Sequence, residues 1–186
     1  VLEYALNKRD SLIEELKQLV ACSSVGADPA MADGMEKARQ LIEHKLDQMG
    51  FQKRQRLVSG DGSGQPAIFA ERFDAPDKPT MLIYAHYDVQ PPEPFDLWTS
   101  PPFEPRMEGD HLFARGSTDN KGQHFVHLKA VEAYLKTGQE LPCEITFLIE
   151  GEEEVGARAA RGPRPAVREA EARPPGDLRA AQGLPR

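Results

Sequence analysis

Three segments of the chain carry apolar residues at helical spacing. The stripes consist of Leu12, Ile13, Leu16, Leu19 and Val20, then Met35, Ala38, Ile42, Leu46 and Met49, and finally Phe125, Leu128, Val131 and Leu135. Each stripe predicts a helix with one apolar face. Ser11 and Glu14 predict a capping box at the start of the first helix, and Gly50 predicts the end of the second.

Short apolar runs predict strands between these helices. We expect strands at 51–58 and 67–73, joined by a hairpin turn at Gly60–Gly64. Residues 81–85 and 145–149 are apolar without alternation, which indicates strands that are covered on both faces. A proline-rich loop at 91–105 and a hairpin ending near Arg115 complete the pattern. It predicts an α/β fold, a layered sheet with helices on both faces.

Length and composition restrict the classes of protein to consider. The chain has 186 residues, enough for one domain plus an extension, and a net charge of −7. This acidity argues against a nucleic-acid partner. No apolar run approaches the roughly 20 residues of a membrane-spanning helix, so we expect no membrane association. Cys22 and Cys143 lie far apart in sequence, which is typical of reduced thiols in a cytoplasmic protein.

The charge changes sign near residue 156. Residues 1–156 hold 16 Lys and Arg against 27 Asp and Glu, whereas residues 157–186 hold 7 Arg against 3 acids. This tail is rich in Ala, Pro and Gly and has no aromatic residue. Such a composition buries too little surface to offset chain entropy. We therefore predict a domain at 1–156 and a disordered tail at 157–186.

Polar residues follow both apolar strand runs directly. His86 and Asp88 follow the first run, and Glu150 with Glu152–Glu154 follows the second. Ligands of open α/β sheets bind beyond the carboxyl ends of strands. Alone, His86 and Asp88 are more typical of a hydrogen-bonded histidine at a strand end than of a metal site. The glutamate run is equally consistent with a solvated turn and with a cation site.

A third polar segment, 115–122, lies between the hairpin and the third helix. Its Asp119 is equally consistent with a helix cap and with a ligand, although flanking Gly116 and Gly122 indicate tight backbone passage. The remaining polar and aromatic residues are expected to have no catalytic role. We interpret Trp98 and Phe103 as packing residues. We expect surface or helix-side positions for the histidines His44, His111, His124 and His127.

Together, the three segments resemble the M20 family of metallopeptidases, the dinuclear-zinc exopeptidases and amidohydrolases. The resemblance is carried by residues 84–91, by 115–122 and by 150–156, and it is closest to the cytosolic dipeptidase and carnosinase-like branch. It implies a zinc-exopeptidase-like catalytic domain. It also implies a zinc-activated water that cleaves dipeptides or N-acyl amino acids.

The resemblance also implies a role for each matching residue. His86 and Glu154 would each ligate one Zn²⁺, and Asp119 would bridge two, with Mn²⁺ or Co²⁺ as alternatives. Glu153 would be the general base and Asp88 would orient His86. A cis peptide bond is implied between Asp119 and Asn120.

The chain departs from the family beyond residue 156. A further Asp ligand, a distant His ligand and the lid domain through which the family dimerises have no counterpart, and we interpret Asp177 as coincidental. The hypothesis is a truncated catalytic domain with weak or no activity. Two alternatives are a non-catalytic metal-binding or interaction fragment and an N-acyl amino acid deacylase of the same family.

The composition of the tail predicts a shifted reading frame or a truncated gene model from residue 157. We expect the parent DNA beyond codon 156, read in the +1 or −1 frame, to encode the missing Asp and His ligands. Sequencing the locus checks this, and the absence of both residues from either frame would refute it.

Overall fold

The computed structural model describes residues 1–51, 53–58 and 64–156. The α/β class is confirmed. Within these ranges, short 3₁₀ helices lie at Pro29–Met31, Phe95–Leu97 and Glu153–Val155. The helices are α1 (Leu2–Asn7), α2 (Arg9–Val20), α3 (Ala32–Gln48) and α4 (Lys121–Lys136), and the strands are β1 (Lys53–Leu57), β2 (Ala67–Arg72), β3 (Thr80–His86), β4 (Arg106–Glu108), β5 (His111–Phe113) and β6 (Glu144–Glu150).

Four strands form one mixed sheet in the order β1-β2-β6-β3. The pairs β1/β2 and β2/β6 are antiparallel, whereas β3 and β6 are parallel, with His86 opposite Glu150. The expected hairpin before Arg115 is present as the separate antiparallel pair β4/β5. The parallel pairing matters for the site because it brings the carboxyl ends of β3 and β6 to the same edge of the sheet.

The main hydrophobic core lies between one face of this sheet and three helices. It contains apolar residues of α2, α3 and α4 together with Ile68, Ile83, Ile145, Phe147 and Ile149. A second cluster on the other face contains strand residues only among the described residues: Ala67, Phe69 and Leu148, with Leu57 against it. Within the described ranges, the helical part of the core is thus confined to one face.

The prediction that both apolar strands are covered on two faces is confirmed for β6 and wrong for β3. All seven residues of β6 are buried. In β3, however, Met81 and Tyr84 are each 52% exposed. The reason is topological, since β6 lies between two strands while β3 pairs only with β6 among the described residues.

The capping box predicted at Ser11 and Glu14 is also wrong. Helix α2 begins at Arg9, and Ser11 is already inside it, where its hydroxyl donates to the carbonyl of Lys8 at 2.9 Å. The predicted end of α3 is confirmed, since Gly50 follows the helix with a φ of +70°.

Three further predictions have different outcomes. The turn expected at Gly60–Gly64 lies outside the described residues except for Gly64, and so does the tail at 157–186. Both cysteines are free and buried, as the thiol interpretation required. Among the described residues, no helix combines the length and the apolar character that a membrane span needs.

A network of charges joins α2 to α4. Lys129 on α4 donates hydrogen bonds of 2.6 Å both to Glu15 on α2 and to Glu132 on its own helix. The side chain of Lys129 is only 7% exposed. Burial raises the pKa of Glu15, but hydrogen bonds from Lys129 and Lys45 outweigh burial and lower it below its usual value of 4.5.

We predict that Lys129→Met lowers the free energy of unfolding by about 1–3 kcal/mol, because two carboxylates lose their shared donor. A lowered acid pKa contributes stability above pH 4.5 that is lost as pH falls through the folded-state value. The difference from the unmodified chain should therefore shrink below pH 4.5. Urea unfolding at several pH values measures it, with Lys136→Met at an exposed position of α4 as the control. Equal losses in the two variants would contradict the prediction.

Candidate metal centre

His86, the last residue of β3, has an orientation that its hydrogen bonds define. Its Nδ1 lies 3.0 Å from the carbonyl oxygen of Asp88. A carbonyl oxygen only accepts, so Nδ1 carries the proton of this contact. The other nitrogen, Nε2, is then directed at carboxylate oxygens: Asp119 Oδ1 at 3.1 Å and Glu153 Oε2 at 4.0 Å.

This arrangement favours a positive charge at Nε2. A neutral imidazole with Nδ1 protonated would point a lone pair at two carboxylates, which is repulsive unless a proton or a cation lies between them. Burial lowers the pKa of His86, but hydrogen bonding to Asp88 and the charges of Asp88 and Glu153 outweigh burial and raise it to about 9. An imidazole nitrogen facing carboxylates is a donor set that fits a divalent transition metal.

Asp88 connects His86 to the glutamate segment. Its carboxylate is fully buried, and Oδ1 lies 3.4 Å from Nδ1 of His86. The same carboxylate accepts the backbone N–H of Glu153 at 3.3 Å and that of Glu154 at 3.0 Å. The expectation that Asp88 lies behind His86 agrees with this geometry, and its bonds to the two glutamates are an additional finding.

The glutamates of the segment after β6 are directed at His86. Glu153 and Glu154 begin a short 3₁₀ helix, and Gly156 ends it with a φ of +109°. His86, Glu153 and Glu154 each offer one ligand atom, and these three atoms lie within 4.8 Å of one another. A solvated turn does not require such convergence, so the geometry favours the cation site over that alternative.

Asp119 contacts His86 from the loop before α4, but it is not one of the three residues whose ligand atoms lie within 4.8 Å of one another. Its side chain is 73% exposed, and it does not cap the helix, because the residue at the cap position is Asn120. The implied cis peptide bond between Asp119 and Asn120 is present. Gly116 has a φ of +84°, and a Cβ atom there would lie 2.7 Å from Val89, which explains one of the two flanking glycines.

Sequence reasoning missed two polar residues beside this cluster. The side-chain amide of Gln90 donates to Oε2 of Glu154 at 2.7 Å. The ammonium of Lys121 is fully buried and donates to the carbonyl of Cys22 at 2.6 Å, and burial lowers its pKa to about 8. Both residues lie in the polar segments that contain the predicted ligands, and this position was the sequence signal that could have identified them.

His124 corrects the expectation that the remaining histidines are surface or helix-side groups. It lies on α4 but is fully buried, and burial lowers its pKa to about 3. The reason is that it lies one helical turn before Leu128 on the apolar stripe of α4. His44, His111 and His127 are exposed, as expected.

Comparisons with known proteins show the family to which the chain is similar. Residues 82–181 match the family model described as peptidase family M20/M25/M40. This range extends beyond residue 156, where the resemblance carried by the motifs ends. The chain is 34% identical over 160 residues to the Cys-Gly metallodipeptidase DUG1 of Candida albicans, covering 80% of this chain, and 33% identical over 172 residues to the Beta-Ala-His dipeptidase of Homo sapiens, covering 86%.

A solved structure gives the same likeness. The crystal structure of human carnosine dipeptidase 1 is similar with a TM-score of 0.77 and 30% identity, covering 84% of this chain and 35% of that one. The fold is therefore that of the catalytic domain of these peptidases. The chain spans about one third of the length of the curated relatives that it matches.

We predict that this cluster binds Zn²⁺ and that His86→Ala abolishes the binding. Asp88→Asn should weaken it by about 10- to 100-fold, because the group that orients the ligand loses its charge. Isothermal titration measures both, with exposed His127→Ala as the control and circular dichroism to verify folding. Unchanged affinity in a folded His86→Ala variant would place the metal elsewhere.

Proposed function

The chain belongs to peptidase family M20/M25/M40, and from that premise we propose that it forms the N-terminal part of the catalytic domain of a zinc-dependent dipeptidase. The substrate is a dipeptide or a related amide, cleaved by water. One observation carries the proposal. Side chains from three remote segments, His86, Asp119 and the pair Glu153 and Glu154, meet at the edge where β3 and β6 end.

His86, Asp119 and Glu154 are proposed as the metal ligands. Support for Glu154 comes from the amide of Gln90, which fixes one of its carboxylate oxygens at 2.7 Å. A ligand benefits from such a restraint, because less side-chain freedom is lost when the cation binds. Support for Asp119 comes from its Oδ1, which is directed at His86 Nε2 at 3.1 Å. Zn²⁺ suits this mixture of imidazole and carboxylates, as do Mn²⁺ and Co²⁺.

Glu153 is proposed as the general base. Its side chain is 43% exposed, and its Oε2 lies 4.0 Å from Nε2 of His86, so it borders the ligands and remains accessible to water. In the reaction, Glu153 accepts a proton from the water whose oxygen forms the new bond to the amide carbon. It then returns the proton to the nitrogen as the carbon–nitrogen bond breaks.

The cations, when bound, supply polarisation of the substrate carbonyl and a lowered pKa of water. Asp88 supports this chemistry from behind the ligands. Its carboxylate holds the imidazole of His86 in one orientation, and it holds the backbone of both glutamates. It is therefore proposed as a positioning residue.

The proposal extends to the remaining ligands, the lid domain and the compartment of the enzyme. The resemblance implies a further Asp and a further His ligand, together with a lid domain through which the family dimerises. Because ligands outside residues 1–156 complete the site, we expect the isolated polypeptide to hydrolyse little or no dipeptide. We propose the cytoplasm as its compartment, supported by the two free cysteines.

The test is a chimaeric enzyme in which residues 1–156 replace the matching segment of the human Beta-Ala-His dipeptidase. We expect chelator-sensitive hydrolysis of a dipeptide panel that includes Cys-Gly and β-Ala-His. Glu153→Gln should lower kcat by about 10²- to 10⁴-fold with little change in metal content, because only proton transfer is lost.

The matched control is Glu140→Gln, at an exposed position beyond α4. A folded, metal-loaded chimaera without hydrolysis, or one in which Glu153→Gln keeps full activity, would contradict the proposal. Strong hydrolysis by the isolated 186-residue chain would instead show that ligands from outside this chain are not needed.

A further inference from the structure

A cavity of about 370 Å³ lies beside the edge of the sheet where β3 and β6 end, which carries the proposed ligands and is called the metal edge below. It is bounded by the proline-rich loop and by the loop that precedes α4, and its volume is in the range of small-molecule sites. Asp119 and Glu154, two of the proposed ligands, line it. A group that extends from a substrate amide held at the metal edge would therefore enter this cavity.

Part of the cavity wall is apolar, although Thr99, Ser100 and Thr118 also line it. Leu97, Trp98, Phe113 and Ala114 contribute to the apolar part. Leu97 is 76% exposed and Phe113 is 45% exposed, although both are large apolar residues. Burying such surface against an apolar ligand group is favourable.

Trp98 is held rigidly in this wall. Its indole N–H donates to the carbonyl of Pro92 at 2.7 Å. The guanidinium of Arg115 lies over its ring, 5.3 Å from the centroid, and also donates to the carbonyl of Pro91 at 3.2 Å. Two side chains are thus fixed by the same loop, so the wall is formed before any ligand binds. Trp98 thus has the packing contacts that the sequence predicted, and it also lines the cavity.

Arg115 also determines the sign of charge that the cavity accepts. It is the cationic residue among the described residues that line the cavity. The two carboxylates on the opposite side face the cations that the proposed function requires. With those cations bound, the remaining charge in the cavity is positive.

We infer that this cavity is the subsite for an uncharged aliphatic or aromatic side chain next to the scissile amide, and that it disfavours lysine and arginine side chains. The inference rests on the proposed function, because the cations hold the amide at the metal edge. It makes Trp98, Phe113 and Arg115 specificity-determining residues.

Amino acid hydroxamates test this directly, because the hydroxamate binds the metal and each compound differs in one side chain. Trp98 is the single tryptophan of the chain, so its fluorescence reports on the cavity itself. We expect the Zn²⁺-loaded chain to bind leucine hydroxamate at least about 10-fold more tightly than glycine hydroxamate, with a shift in Trp98 emission. Lysine hydroxamate should bind no more tightly than glycine hydroxamate.

Phe113→Ala should reduce the ratio of leucine to glycine hydroxamate affinity toward one. The matched control is Phe95→Ala, which removes a phenylalanine of the same region that is 56% exposed and does not line the cavity. Arg115→Met, which removes the charge and keeps an unbranched side chain, should make lysine hydroxamate bind several-fold more tightly.

Acetohydroxamate, which has no amino acid side chain, distinguishes a failure of the subsite from a failure of the metal centre. If it binds the Zn²⁺-loaded chain and leucine hydroxamate has no advantage over glycine hydroxamate, the subsite is refuted while the metal centre stands. Tighter binding of lysine than of leucine hydroxamate also refutes it. If no hydroxamate binds and Zn²⁺ is not retained, the proposed function and the subsite both fail.

Discussion

The geometry of the site depends on the contacts that the carboxylate of Asp88 makes. This carboxylate is fully buried, and a buried charge is tolerated only where hydrogen bonds compensate for lost hydration. Here the compensation comes from the backbone N–H groups of Glu153 and Glu154 and from the imidazole of His86. The end of β3 and the segment after β6 are therefore fixed relative to each other by one side chain. This restraint operates whether or not a cation is bound.

The rest of the edge is built around that restraint. The N-terminal segment lies against it, because the hydroxyl of Ser24 donates to the carbonyl of Tyr87 at 2.6 Å and the N–H of Val89 donates to Ser24 at 2.8 Å. The buried ammonium of Lys121 ties the start of α4 to the same segment through Cys22. Four remote parts of the chain thus form one framework for the carboxylates. Clustered carboxylates still repel one another, and a proton or a cation among them reduces that repulsion.

The sequence was sufficient for the main helices and strands, and insufficient for the short helix α1 and for what depends on strand order and long-range contact. Helical stripes and apolar runs located α2, α3, α4 and the main strands, because local periodicity records which face is buried. The exposure of Tyr84 could not be predicted this way, since an edge strand and a central strand share the same apolar run. The contact of Gln90 with Glu154 spans 64 residues, and no local pattern records it. The burial of His124 could have been predicted, because this residue lies on the apolar stripe of α4 that was visible in the sequence.

The metal edge and the cavity are electrostatically one unit, because Asp119 and Glu154 belong to both. Without a cation, these carboxylates would give the cavity a negative side that favours positively charged groups. With the cation, their charge is compensated, and the guanidinium over Trp98 becomes the dominant charge that a ligand meets. Charge interactions across a few ångströms in a partly enclosed space are strong enough for such a change to alter selectivity. In the proposed enzyme, the cation would therefore supply the chemistry and also determine which side chains the neighbouring wall accepts. The indole and the guanidinium would select the substrate only once the cation is in place.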